Sequence, residues 1–289
     1  MAKYMTTSLS DSTPTAVTPN KMKAVLMCLV FYLPLMLCLY GGIDVKYQSF
    51  FIVTLQDNTE HFCNGALVSS RFVLTAASCV KDKQPQDITL KVWIVTSGST
   101  GIPMVVEEII YKNPTGQKNV HNNIALLRLA KITEHKDELT PFELERLVDG
   151  AEENVHCSLY GWGKKSIDDL RVLDTLQMAK SQTGSLSFCK THNSDVDETN
   201  ICIYDANSGL CDLDTGGLLT SPDLCLWGIA TEQHSCGNRT GDVYTRVYSH
   251  IDWIRETMKE DSNDSVNQHT PETIIVLTAT HVILTIWLN

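Results

Sequence analysis

Apolar and polar positions alternate in short runs through the middle of the chain. Phe50-Phe51-Ile52-Val53-Thr54-Leu55, Gly65–Val68, Phe72–Leu74 and Ile88–Val95 are such runs, followed by Val105-Val106, Ile124–Leu129 and Leu224–Ala230. They are rich in β-branched residues and bounded by turn formers, the pattern of strands. Many short strands without a long amphipathic helix predict an all-β barrel or sandwich. One helix is predicted over 248–259, where Ile251, Ile254 and Met258 recur at helical spacing. A polar connector, Glu134–Gly150, divides the body into two halves of similar length, and there is no internal repeat.

Both ends depart from this pattern. Lys21-Met22-Lys23 precedes an apolar run, Ala24–Tyr40, and then Gly41-Gly42. Basic residues, a short apolar core and small residues in that order read as a secretory signal, starting at Met1 or at Met22. The alternative is an uncleaved signal anchor, because the run is near the lower limit for a span. At the other end an apolar stretch, Thr273–Leu288, follows a polar one that holds Ser262, Asn263, Asp264 and Ser265. Small acceptor residues, a polar spacer and an apolar tail form the pattern of a GPI signal. A short membrane span is the other reading, with His281 and the lack of a basic flank against it. The chain therefore divides into a leader, 1–42; a body, 43–260; and a spacer with apolar tail, 261–289.

Composition narrows the picture. The chain has 289 residues and a formal charge of -11, which argues against nucleic acid as the main partner. Its 10 cysteines are scattered rather than set in close pairs, which favours disulfides and an oxidising compartment over zinc. His121 and His192 show no metal-ligand spacing, and neither a metal nor a cofactor is implied.

Particular motifs narrow it further. His61-Phe62-Cys63-Asn64-Gly65-Ala66-Leu67-Val68 is followed by Leu74-Thr75-Ala76-Ala77-Ser78-Cys79 and by Asn123–Leu129. Tyr160-Gly161-Trp162-Gly163, Cys211-Asp212-Leu213-Asp214-Thr215-Gly216-Gly217, Val243–Val247 and Ile251–Ile254 come next, in that order. In order and spacing these resemble the chymotrypsin/trypsin family of serine proteases, over about Tyr47–Lys259. The resemblance implies two antiparallel β-barrels, about 43–140 and about 150–247, with a site between them and a short C-terminal helix. It also implies the disulfides Cys63–Cys79, Cys157–Cys225, Cys189–Cys202 and Cys211–Cys236, each stabilising by roughly 2–4 kcal/mol. Cys28 and Cys38, left over, both lie in the N-terminal apolar run.

The same resemblance places a degenerate site. Serine stands at 78 where the family has its histidine base, asparagine at 123 where it has aspartate, and threonine at 215 where it has the nucleophilic serine. Ser78 has no useful proton affinity near neutral pH, Asn123 carries no charge to hold an imidazolium, and Thr215 keeps a hydroxyl with an extra methyl. Leu213 replaces the oxyanion-hole glycine, so its Cβ is expected to oppose the backbone conformation that turns the N–H inward. No Arg/Lys-Ile-Val-Gly-Gly activation sequence occurs, and a terminus at Ile43 would be too short to insert. By analogy with zymogens of the family, Asp214 is expected to lie against His61 and Thr54; the alternative is a solvated loop aspartate.

The resemblance also places Gly209 at the base of the family's specificity pocket and Asp242 at a second lining position, where an acid can attract a Lys or Arg side chain. Thr231-Glu232-Gln233 replaces the family's Ser-Trp-Gly, and Gln233 is expected to narrow the pocket mouth. Sequons occur at Asn238 and Asn263. These residues imply a non-catalytic homologue with an extracellular binding or regulatory role, its partner an active protease, a protease substrate or another extracellular protein. It would be secreted or held at the cell surface. The alternative is a weakly active endopeptidase using Thr215 with a distant histidine.

Overall fold

The computed structural model describes residues 42–45, 52–92, 101–113, 122–130, 139–144, 149–163, 175–204, 209–231 and 241–267. Apart from Leu224–Ala230, the runs read from hydrophobic pattern fall in the first barrel. Its strands are β2 (Ile52–Asp57), β3 (Glu60–Ser69), β4 (Phe72–Thr75), β5 (Thr89–Val92), β6 (Ile102–Tyr111) and β7 (Ala125–Leu129). They pair antiparallel in the order β2-β3-β4-β7-β6-β5 and close through β2–β5. Sequence dictates the first turn. Asn58 and Thr59 both take positive φ, 47° and 79°, the geometry a two-residue hairpin needs to match strand twist. The Asn58 side-chain amide donates to Asp57 Oδ1 at 3.0 Å across that turn.

A second barrel follows. Its strands are β8 (His156–Gly161), β9 (Gln177–Gly184), β10 (Asn200–Ile203), β11 (Leu218–Thr220), β12 (Leu226–Ala230) and β13 (Asp242–Arg246). The order β9-β10-β13-β12-β11-β8 is closed by the pairing of β8 with β9. A short strand, β1 (Ile43–Asp44), adds to the β9 end, with Ile43 opposite Met178. Closure removes the free edges that would template aggregation.

Leu159, Ala179, Ile201, Leu219, Trp227 and Tyr244 fill the second barrel. A larger core runs from the first barrel through Tyr160, Trp162, Leu218 and Ile229 to Ile251 and Ile254. The latter two belong to helix α3 (Ile251–Asn267), entered through a 3-10 turn, Val247–His250. The helix thus starts near the predicted position but continues eight residues past 259, into the stretch read as a polar spacer. Position 263 lies on this helix, whereas Asn238 lies outside the described residues. So do both apolar end runs; among the described residues no helix is long and apolar enough to cross a membrane.

Two disulfides of the expected set are present, Cys63–Cys79 and Cys189–Cys202. Cys211 is also disulfide-bonded, and Cys236 lies outside the described residues. The expected Cys157–Cys225 bridge is not formed; both residues are thiols. The register gives the reason. Ser158 on β8 pairs with Thr220 on β11, and β11 lies between β8, which holds Cys157, and β12, which Cys225 precedes; Ser221 follows directly after β11. Ser221 in turn bonds to Cys225, N–H to carbonyl at 2.9 Å. Two cysteines flanking an intervening strand are roughly 10 Å apart, beyond disulfide reach.

Candidate functional site

Helix α1 (Ala77–Val80) begins just after β4 and sets Ser78 at the surface between the barrels. Asn123, just before β7, is buried and meets it. The Ser78 N–H donates to Asn123 Oδ1 at 2.8 Å, and Asn123 Nδ2 donates to Ser78 Oγ at 3.1 Å. The Asn123 carbonyl accepts from Thr245 Oγ1 on β13 at 3.2 Å, so one residue ties the first barrel to the second. Ser78 and Asn123 are therefore joined, by groups that do not titrate near neutral pH.

Thr215 sits half-buried in the loop between Cys211 and β11. Its carbonyl accepts from the Asn64 backbone N–H at 2.9 Å, and no hydrogen bond links its hydroxyl to Ser78 or Asn123. Loop geometry depends on Gly216, whose φ of 79° and close approach to the Asn64 carbonyl leave no room for a Cβ.

Leu213 has a φ of 72°, a left-handed conformation held despite its Cβ. The carbonyl of Leu213 accepts two donors from β3, His61 Nε2 at 3.0 Å and Asn64 Nδ2 at 3.0 Å. A carbonyl only accepts, so His61 carries its proton on Nε2, and Nδ1 accepts from Thr54 Oγ1 at 2.6 Å. Burial lowers the pKa of His61, opposed by the Leu213 carbonyl.

Asp214 is placed differently from the zymogen-like expectation. Thr54 and His61 do pair, but the imidazole reaches the Leu213 carbonyl rather than the Asp214 carboxylate. That carboxylate is fully buried, so it is not a solvated loop group either. It accepts the Gly163 N–H at 2.7 Å and the Cys211 N–H at 2.9 Å. A Cβ on Gly163 would collide with it, which explains a glycine there. Burial pushes the Asp214 pKa up to about 7, only partly offset by the two amides, and nearby Asp242 and Asp212 add to the rise.

Gly209 and Asp242 lie side by side. Asp242 Oδ2 accepts from the Leu210 N–H at 2.8 Å and would lie 3.0 Å from a Cβ at 209. The glycine thus makes room for the aspartate. Thr231 is buried and turned to the backbone, donating to the Val243 carbonyl at 2.7 Å. Glu232 and Gln233 lie outside the described residues.

Sequence reading quoted Asn64 within a motif and gave it no role. The signal available in the sequence is a polar residue set between Cys63 and Gly65, ahead of the apolar run Ala66–Val68; the structure shows it buried. His250 was also passed over. It is buried, its pKa is lowered to about 4 by desolvation and by Lys112, and its Nε2 has no hydrogen-bond partner.

Two closed antiparallel barrels with these motif positions between them define a protein of the chymotrypsin-like fold. The trypsin family model matches residues 39–254, and the chain belongs to that family. It is 28% identical to chymotrypsin-2 of Vespa crabro over 217 residues, covering 75% of this chain and 98% of the relative. It is 25% identical to trypsin epsilon of Drosophila erecta, covering 76% of this chain and 87% of the relative. It is 28% identical to the complement C1s subcomponent of Sus scrofa, where the match spans 79% of this chain and 36% of the longer protein.

Proposed function

We propose that this trypsin-family member does not catalyse peptide hydrolysis and acts by binding, as an extracellular partner of an active protease or of a protease substrate. The observation that carries this reading is the Ser78–Asn123 pair. Amide and hydroxyl fill the positions of base and acid, each satisfying the other. A hydroxyl nucleophile needs a positioned proton acceptor, and the Thr215 hydroxyl makes no hydrogen bond to one among the described residues. Residual acceleration from oxyanion donors and binding alone is smaller by orders of magnitude. The disulfides fit a chain that matures in the secretory pathway. Residues 1–42 serve in this reading as the export signal or signal anchor, and 261–289 as the surface attachment, by GPI or a short span.

An active-site-directed fluorophosphonate tests the central claim. No labelling is expected for the natural chain, whereas the triple variant Ser78→His, Asn123→Asp, Thr215→Ser should gain labelling at 215. Covalent labelling at Thr215 in the natural chain would establish the opposite reading, a weak endopeptidase.

A further inference from the structure

The loop 211–217 belongs to the second barrel but is gripped by the first. Asn64 on β3 is fully buried. Its Nδ2 donates to the Leu213 carbonyl at 3.0 Å and to the Thr215 carbonyl at 3.1 Å, the two oxygens that flank Asp214. Its backbone N–H donates again to Thr215 at 2.9 Å, and its own carbonyl accepts from Thr75 Oγ1 at 2.7 Å. Both loop oxygens are pure acceptors, so the amide is fixed with its NH2 toward the loop, and Oδ1 is left without a partner. A buried, half-satisfied amide is costly in isolation; here its two donated bonds hold a segment across the barrel junction. His61 adds a second donor to the same Leu213 carbonyl. Within the loop, Asp214 N–H bonds to Cys211 at 3.1 Å, Gly217 N–H to Asp214 at 2.8 Å and Gly216 N–H to Ala230 at 2.9 Å.

We propose that Asn64 is a built-in positioning residue, which sets the 211–217 loop in the intact chain without the cut-and-insert step that family resemblance would require. All the donors and acceptors named here belong to the uncleaved body, so the region between the barrels is ready to bind as synthesised. The proposal is independent of whether Thr215 reacts, and a fluorophosphonate result does not decide it.

Hydrogen–deuterium exchange on the full-length chain tests it. Amides of 213–217 should exchange slowly in the natural protein and at least tenfold faster in Asn64→Gly and in Asn64→Asp, which turns an acceptor toward two carbonyls. Strands β10 and β13 should keep natural protection, showing that the variants are folded. Natural-like protection of the loop in Asn64→Gly would overturn the proposal. So would a natural loop that exchanges fast and becomes protected only after limited proteolysis ahead of residue 43. If Asn64→Asp does not fold, the glycine variant decides alone.

Discussion

Leu213 holds a conformation that side chains with a Cβ avoid, at a cost of roughly 1–2 kcal/mol. The hydrogen bonds around it, two accepted by its own carbonyl and two by that of Thr215, offset this cost. Leu213→Gly should therefore be neutral or stabilising by up to about 1 kcal/mol, and Leu213→Val should lose about 1 kcal/mol or more. Urea denaturation of the three proteins checks both; a valine variant as stable as the natural chain contradicts the strain. Asp214, its neighbour, makes a pH prediction. Its pKa is about 7 when folded against an ordinary 3.8, so between these values the folded state binds the extra proton. Stability from this group falls as pH rises from about 4 to about 7, by a few kcal/mol in order of magnitude, and then levels off. His250, lowered to about 4 from an ordinary 6.5, works the other way over most of that window, because there the unfolded chain binds the proton. The difference between natural protein and Asp214→Asn isolates the aspartate. It should shift in the variant's favour from pH 4 to 7, and a flat difference would refute the assignment. Neither residue's behaviour was readable from sequence: position 213 was judged by its Cβ alone, and the Asp214 partners are backbone amides, which carry no sequence signal.

Among the elements, the first-barrel strands were legible because their inward positions are apolar and β-branched. Strand β9 was not. Its inward residues are Gln177, Ala179, Ser181 and Thr183, so period-two burial is present without a hydrophobic pattern to reveal it. Strand β6 was recognised only at Val105-Val106, since glutamates and exposed positions dilute the rest of 102–111. The Cys157–Cys225 expectation failed at this scale too, because pairing by order along the chain cannot show that β11 lies between the two. Peptide mapping of unreduced, alkylated protein should recover cross-linked Cys63–Cys79 and Cys189–Cys202 peptides. Cys225, partly exposed, should be alkylated without unfolding; a cross-linked Cys157–Cys225 peptide would show the register argument to be wrong. Loss of the Cys63–Cys79 bridge, which spans 16 residues, should cost roughly 3 kcal/mol.

At the level of the whole molecule, the pair of barrels and the placement of the motif positions between them were legible, because seven motifs occur in one order. What was not legible is how the barrels hold each other. Asn64, His61, Asn123 and Thr245 form that junction largely through backbone oxygens, with Thr75 bracing Asn64 inside the first barrel. A chain trimmed to residues 39–267 contains every one of these contacts. It should keep the melting temperature of the full-length protein within about 3 °C, since the shift for 1 kcal/mol in a domain this size is about 2–4 °C. A much lower value would mean that the omitted ends contribute to folding. The continuation of α3 to Asn267 has a mechanical consequence. Its 17 residues form a rod about 25 Å long, of which the last eight add about 12 Å beyond the stretch ending at 259. Anything joined after Asn267 acts on the barrels through a lever arm, and its orientation is set by the rotation of the rod. Inserting one residue would turn the attachment by about 100° while moving it only about 1.5 Å.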